Sequence, residues 1–163
     1  MAGIISASVT PANSDPAIQY ADDIEFDVLY YDPDVSLKTK LADLPLAIQE
    51  MIYGAKIDDN GVLINNANDT PGYYAVGFKA EKTNHKYRYV WLYKCRAKLL
   101  TDAYATKEGG NTITRQEPEV EWTAIKRTYD GDWKAVADED ENGVTAATLS
   151  TFLDAPYVKS ITP

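Results

Sequence analysis

Lys86-Tyr87-Arg88-Tyr89-Val90-Trp91-Leu92-Tyr93-Lys94-Cys95-Arg96-Ala97-Lys98-Leu99-Leu100 is the stretch that decides the fold class of this sequence. Tyr87, Tyr89, Trp91, Tyr93, Cys95, Ala97 and Leu99 recur at every second position, while Lys86, Arg88, Lys94, Arg96 and Lys98 fall in the alternate register. A helix would scatter those aromatic side chains around its circumference. A strand rising about 3.3 Å per residue gathers them on one face of a sheet. The run therefore predicts one long strand with an apolar face and a basic face. It outruns the usual strand of about 3–10 residues, which predicts a bend, a bulge or a projection beyond the domain body.

Working outward toward the N-terminus, residues 73–80 predict a further strand with Tyr74, Val76 and Phe78 on one side. Asp59-Asn60-Gly61 lies between two short apolar pieces in 56–66, the pattern of a tight hairpin. Residues 43–53 switch to helical spacing, with Leu44, Ala47, Ile48 and Met51 on one stripe, Asp43 as N-cap, Pro45 in the first turn and Gly54 just past the end. Before them, Val35, Leu37, Thr39 and Leu41 alternate, as do Ile24, Phe26, Val28 and Tyr30. With Asp32-Pro33-Asp34 as a turn between them, the two runs predict a hairpin. Residues 1–20 show no sustained period and read as an arm carrying one short strand at most.

Toward the C-terminus, residues 101–111 form a polar stretch ending in Gly109-Gly110, expected to be a protruding loop. Strands are expected at 112–117 and 119–129 around Pro118, with Val120, Trp122 and Ala124 on one face, and Asp130-Gly131 predicts a hairpin turn into 133–137. A short helix is expected near 145–153, with Thr145 as N-cap, Leu149, Phe152 and Leu153 at helical spacing and Pro156 beyond its end. The sum is a mainly β, α+β chain, an antiparallel β-sandwich or barrel with two short helices. Its 163 residues are the size of one domain, so residues 1–163 are expected to fold as a unit.

Composition narrows the function. A formal net charge of −9 disfavours binding to nucleic acid by phosphate neutralisation, which needs a basic face. No apolar run approaches the ~20 residues of a membrane helix, and the first ten residues lack a basic start and continuous apolar run of a signal peptide. Synthesis and folding in the cytoplasm are expected, in keeping with the single cysteine, Cys95.

Catalytic chemistry is sparsely supplied. His85 is the only histidine and lies in Thr83-Asn84-His85-Lys86 between two strands, where a solvated turn residue is the ordinary role. Cys95 sits on the apolar face of the long strand as a buried small hydrophobe rather than a nucleophile. Paired-histidine, paired-cysteine and phosphate-loop patterns are missing, although plentiful Asp and Glu leave a carboxylate-pair hydrolase open. Asp138-Glu139-Asp140-Glu141-Asn142-Gly143 matches the first half of a calcium loop, but position twelve falls on Leu149 instead of glutamate, so a solvated acidic turn is the expected role. Asn68-Asp69-Thr70 is a formal glycosylation sequon read as turn chemistry beside Pro71-Gly72. Three Trp and twelve Tyr could build a carbohydrate platform around Trp91, Trp122 or Trp133, yet aromatic residues on alternating strands more often form core or protein interface.

Four stretches occur in this order: Tyr20-Ala21-Asp22-Asp23; Leu41-Ala42-Asp43-Leu44-Pro45 with a helix ending at Gly54; Lys86 to Lys94; and Asp132-Trp133-Lys134-Ala135-Val136-Ala137-Asp138-Glu139-Asp140. As an ordered set they resemble the major tail protein of bacteriophages with long non-contractile tails, the subunit of the tail tube. The resemblance covers about residues 20–157 and is most specific in the last two stretches; Cys95 and the short first twenty residues depart from it. It implies a β-sandwich or barrel of the tail-tube type flanked by a helix, a homo-hexameric ring, and rings stacked into a hollow tube of the virion. Partners implied are the tape-measure protein, tail completion proteins and double-stranded DNA passing through the lumen, with no catalysis, cofactor or metal and no membrane. A long amphipathic strand can also pair across a subunit boundary, because open strand edges seek partners. On that reading Asp102, Tyr104, Lys107, Glu108, Gly109 and Gly110 are candidates for ring-to-ring contact. Arg88, Lys94, Arg96 and Lys98 are candidates for charge pairs between subunits.

Overall fold

In the computed structural model, which describes residues 3–11, 17–21, 24–29, 34–98 and 117–159, the long strand is the hub of the sheet. The chain runs β1 (Ile4–Pro11), β2 (Ala17–Ala21), β3 (Ile24–Leu29), β4 (Val35–Leu41), α1 (Leu46–Tyr53), β5 (Lys56–Ile57) and β6 (Leu63–Ile64). It continues through β7 (Tyr73–Glu81), β8 (Tyr87–Ala97), β9 (Glu119–Ala124), β10 (Lys134–Asp138) and α2 (Ala146–Thr151). The main antiparallel sheet has six strands in the order β1-β4-β9-β8-β10, with β7 on β8, and it curls into a half-barrel rather than a two-sheet sandwich.

The bulge expected of an overlong strand is present, and it sorts the side chains differently from the simple alternation. Tyr74 of β7 pairs with Cys95 and Val76 with Leu92, so Tyr93 and Lys94 together oppose the single residue Ala75. One extra residue shifts the period, because side chains alternate strictly by two. Val90, Leu92, Cys95 and Ala97 therefore all reach the core. Tyr87, Tyr89 and Trp91 lie on the opposite face. The single face of Tyr87 through Ala97 predicted from the sequence is thus two faces joined at the bulge. Trp91 is nevertheless buried, because the C-terminal segment covers it: its Nε1 donates to the carbonyl of Phe152 at 2.6 Å.

The same bulge organises the other edge of β8. β10 pairs with Arg88 through Leu92, and β9 pairs with Cys95 through Ala97, both antiparallel to β8. The chain leaves that edge where the Ile125 amide donates to Lys94 O at 2.9 Å and rejoins it where Tyr93 N donates to Trp133 O at 3.1 Å. Residues 119–138 are hence one interrupted pass along β8, not the hairpin expected at Asp130-Gly131. Two long-range pairings replaced local ones elsewhere. β4 pairs with β1 and β9, while β3 pairs with β2 in a separate sheet, so the predicted hairpin of 24–30 with 35–41 does not form. Residues 4–11 of the expected arm are a strand of the main sheet.

The core faces of β4 and β9 follow the sequence alternation. Val35, Leu37, Thr39 and Leu41 are buried against Val120, Trp122 and Ala124, in the register Val35↔Ala124, Leu37↔Trp122 and Thr39↔Val120. The buried hydroxyl of Thr39 donates to Val120 O at 3.2 Å and accepts from Trp122 Nε1 at 3.0 Å, which satisfies polar groups that would otherwise be costly to bury. Ile48 and Ile52 of α1, together with Leu44 just before it, lie near Ile4, Val76 and Trp122. Ala47 and Met51, expected on that stripe, are exposed. Asp43 accepts only from the adjacent Leu44 N, and α1 begins after Pro45 with no side-chain cap. Gly54 ends α1 in the left-handed conformation at φ 73°, as the sequence predicts, and a Cβ there would lie 2.7 Å from Thr70 O.

The 58–62 turn, with Gly61 at φ 80° and Asp58 Oδ1 accepting from Asn60 N and Val62 N, matches the expected hairpin between β5 and β6. Thr145 caps α2 by accepting from Thr148 N.

Gly77 lies opposite Trp91, and a Cβ at this position would meet the indole ring at 2.8 Å. The ring is held by its bond to Phe152 O, so it cannot move aside freely. Gly77→Ala is expected to lower unfolding stability by about 1–3 kcal/mol in denaturant titration; an unchanged midpoint would contradict this packing.

Candidate functional site

The β7–β8 turn and the end of β10 bring together the densest set of charges in the described residues. The turn is closed by His85 N donating to Lys82 O at 3.0 Å and Lys82 N donating to Lys86 O at 2.7 Å, which puts His85 at φ 60°. It presents Lys82, Lys86 and Arg88 beside Asp138, Glu139 and Asp140. Arg88 holds Asp138 with two bonds of 2.6 Å, and Lys82 Nζ contacts Asp138 at 3.1 Å and Asp140 at 2.5 Å. Glu139 accepts from Tyr87 N at 2.9 Å and Lys86 Nζ at 3.1 Å, and Asn84 donates to Asp140 at 2.8 Å.

These bonds stabilise the ionised carboxylates. Arg88, then Lys82, holds the Asp138 carboxyl far below the usual range. The Tyr87 amide and Lys86 lower Glu139, and Lys82 and Asn84 lower Asp140. Asp138, Glu139 and Asp140 of the calcium-like stretch are thus turned onto cations of the neighbouring hairpin, and a calcium ion would have to displace those cations. Among the described residues no group of three or more His, Cys, Asp or Glu side chains is placed to hold a metal ion.

The four predicted cations separate into two kinds. Arg88 pairs with Asp138, and Lys98 pairs with Glu121 at 2.7 Å, both within the chain. Lys94 and Arg96 hold no carboxylate among the described residues; both lie over the ring of Tyr73, at 4.9 and 4.5 Å from its centroid. Asp102, Tyr104, Lys107, Glu108, Gly109 and Gly110 lie outside the described residues. His85 is exposed with Nδ1 3.0 Å from Glu81. Burial pushes the Cys95 thiol up to about 12, so its thiolate is disfavoured at neutral pH. Trp91 and Trp122 are buried and Trp133 is half-buried, which removes the first two from any sugar-stacking platform. Asn68 lies in an exposed turn closed by Asn66 and Asp69.

Sequence reasoning missed a second ionic cluster. Arg127 holds Asp130 through bonds of 3.0 and 2.5 Å and reaches Asp132 at 3.4 Å, and its guanidinium lies 3.7 Å from the centroid of Tyr93. Lys159 joins Asp132 at 3.0 Å, and Tyr93 Oη donates to Tyr157 O at 2.7 Å. The loop that interrupts the β9–β10 pass is thereby tied both to the bulge and to the C-terminal segment. Arg127 followed by acids at the third and fifth positions was the available signal.

Backbone edges complete the surface. Among the described residues the outer edges of β1 and β7, and the edge of β10 away from β8, pair with no strand. No helix among these residues is long and apolar enough to cross a membrane. Compared with known proteins, the sequence matches no family model and no curated protein.

Because Asp138 titrates lower in the folded chain than the ordinary value near 3.9, its ion pair contributes stability above about pH 4 and loses it as the pH falls. Asp138→Asn is expected to flatten the decline of unfolding stability between about pH 4 and 2, followed by denaturant midpoints across that range. Identical acid slopes in both proteins would contradict the assignment.

Proposed function

We propose that this chain is a structural virion protein, the subunit that self-assembles into stacked hexameric rings of a non-contractile phage tail tube through which DNA is delivered. It acts there without catalysis, cofactor or metal, with the tape-measure and tail completion proteins as further partners. One observation carries the reading. The two most specific stretches of the resemblance, 86–94 and 132–140, meet as the paired strands β8 and β10, clasped at one end by Arg88 and Asp138. These two parts of the likeness, far apart in the sequence, thus lie on one contiguous unit. The unpaired edges of β1 and β7 support assembly on physical grounds, since exposed edges are templates for pairing with another chain. The heterologous contacts of a ring would consume them.

The alternative, a carbohydrate-binding module, retains exposed Tyr73 and Tyr129 and half-buried Trp133 as stacking faces. Negative-stain microscopy of concentrated protein separates the two. Rings or tubes are expected, and a chain lacking residues 101–110 should fold but form no tubes. A monomer whose tryptophan fluorescence responds to glycans would contradict the tube reading, and normal tubes from the deletion variant would remove the loop from ring stacking.

A further inference from the structure

Arg96 is the anomaly among the described arginines. Arg88 and Arg127 each grip a carboxylate, whereas Arg96 grips none, and its Nε is buried without a hydrogen-bond partner. A buried donor left unpaired is costly, so such a group points to an acceptor that arrives from outside. The surroundings are shaped to receive one. Lys94, the second residue of the bulge, and Arg96 lie on the same side of β8, opposite buried Cys95 and Ala97, and both contact the ring of Tyr73, which is 50% exposed. Among the described residues Lys94 Nζ otherwise reaches only Thr128 Oγ1, at 3.5 Å. The nearby carboxylate Glu121 is already engaged by Lys98 and Ser36. Two cations at one aromatic ring, with no carboxylate partner among the described residues, leave a local positive site on a chain of net charge −9.

We infer that Arg96, Lys94 and Tyr73 form a clamp for a carboxylate of a second copy of this chain, seated beside the open edge of β7. Charge complementarity selects that occupant. The chain carries 25 acidic against 16 basic residues, and Asp59, Glu141 and Asp154 are exposed without an ion pair among the described residues. The planar guanidinium can take a carboxylate with two parallel bonds, Lys94 adds a second charge, and the Tyr73 ring lies against both. The clamp borders backbone groups of β7 that pair with no strand, so one approaching segment could satisfy both. This rests on the self-assembly reading and assigns part of its contact.

Arg96→Met, Lys94→Met and Arg96→Lys test it, using sedimentation and microscopy for assembly and thermal unfolding for the subunit. Arg96→Met should leave the monomer's Tm unchanged or raised, because it removes an unsatisfied donor, yet raise the concentration for half-assembly roughly tenfold or more. Arg96→Lys should fall between, lacking the two-pronged fork. A carbodiimide should join Lys94 to a carboxylate of a second copy in the wild type. Wild-type assembly with undiminished assembly of Arg96→Met and Lys94→Met would overturn the clamp and leave the subunit reading standing. A wild type that stays monomeric at all concentrations would overturn that reading and the clamp with it. A short DNA duplex bound by the wild type but not by Arg96→Met would assign the site to phosphate and overturn the proposal.

Discussion

The structure depends on one extra residue in β8. At Tyr93-Lys94 the strand bulges against β7, and the period-two pattern changes phase across it. Without that shift, a strand placing Val90 and Leu92 inside would turn Cys95 and Ala97 outward and face the core with Lys94 and Arg96. Burying two unpaired cations would cost far more than the bulge does. With the shift, aliphatic and small side chains line the half-barrel along the whole strand, and the aromatic row is released to the other face.

That released row recruits the rest of the chain. Phe152 meets Tyr89 edge-on at 6.0 Å and stacks with Tyr157 at 5.4 Å, while its carbonyl accepts from Trp91. The C-terminal segment is therefore the second cover of a sheet whose first cover is the core beneath α1. The bulge also supplies the backbone groups that receive the 125–133 loop at both ends, which is why β9 and β10 can share one edge of β8 without pairing to each other.

Local chemistry was legible in the sequence wherever neighbours along the chain decide it. The alternation of Val35 to Leu41 and of Val120 to Ala124, the Gly54 helix end, the Thr145 cap and the turn at Asp59-Asn60-Gly61 all depend on nearby residues. What eluded sequence reading depends on distant partners. β4 prefers β1 and β9 to the adjacent β3, a choice made by sheet closure rather than by the Asp32-Pro33-Asp34 turn. α1 turns Ile48 and Ile52 inward, in line with Leu44 just before it, because the sheet beside it, not the helix alone, selects the face. The basic residues of β8 were visible as a set, but only geometry separates Arg88 and Lys98, neutralised at home, from Lys94 and Arg96, which are not.

The same geometry bears on assembly. A half-barrel has edges that a closed barrel lacks, and in the described residues those of β1, β7 and β10 end the sheet while β9 is enclosed by β4 and β8. Pairing between copies would protect backbone amides selectively at the edges, as it cannot in an isolated chain. Amide hydrogen exchange compared between dilute monomer and concentrated assembled protein reads this directly. The account predicts that Tyr73–Glu81 becomes markedly more protected on assembly while Glu119–Ala124 changes little. Equal exchange of Tyr73–Glu81 in the two states would contradict it.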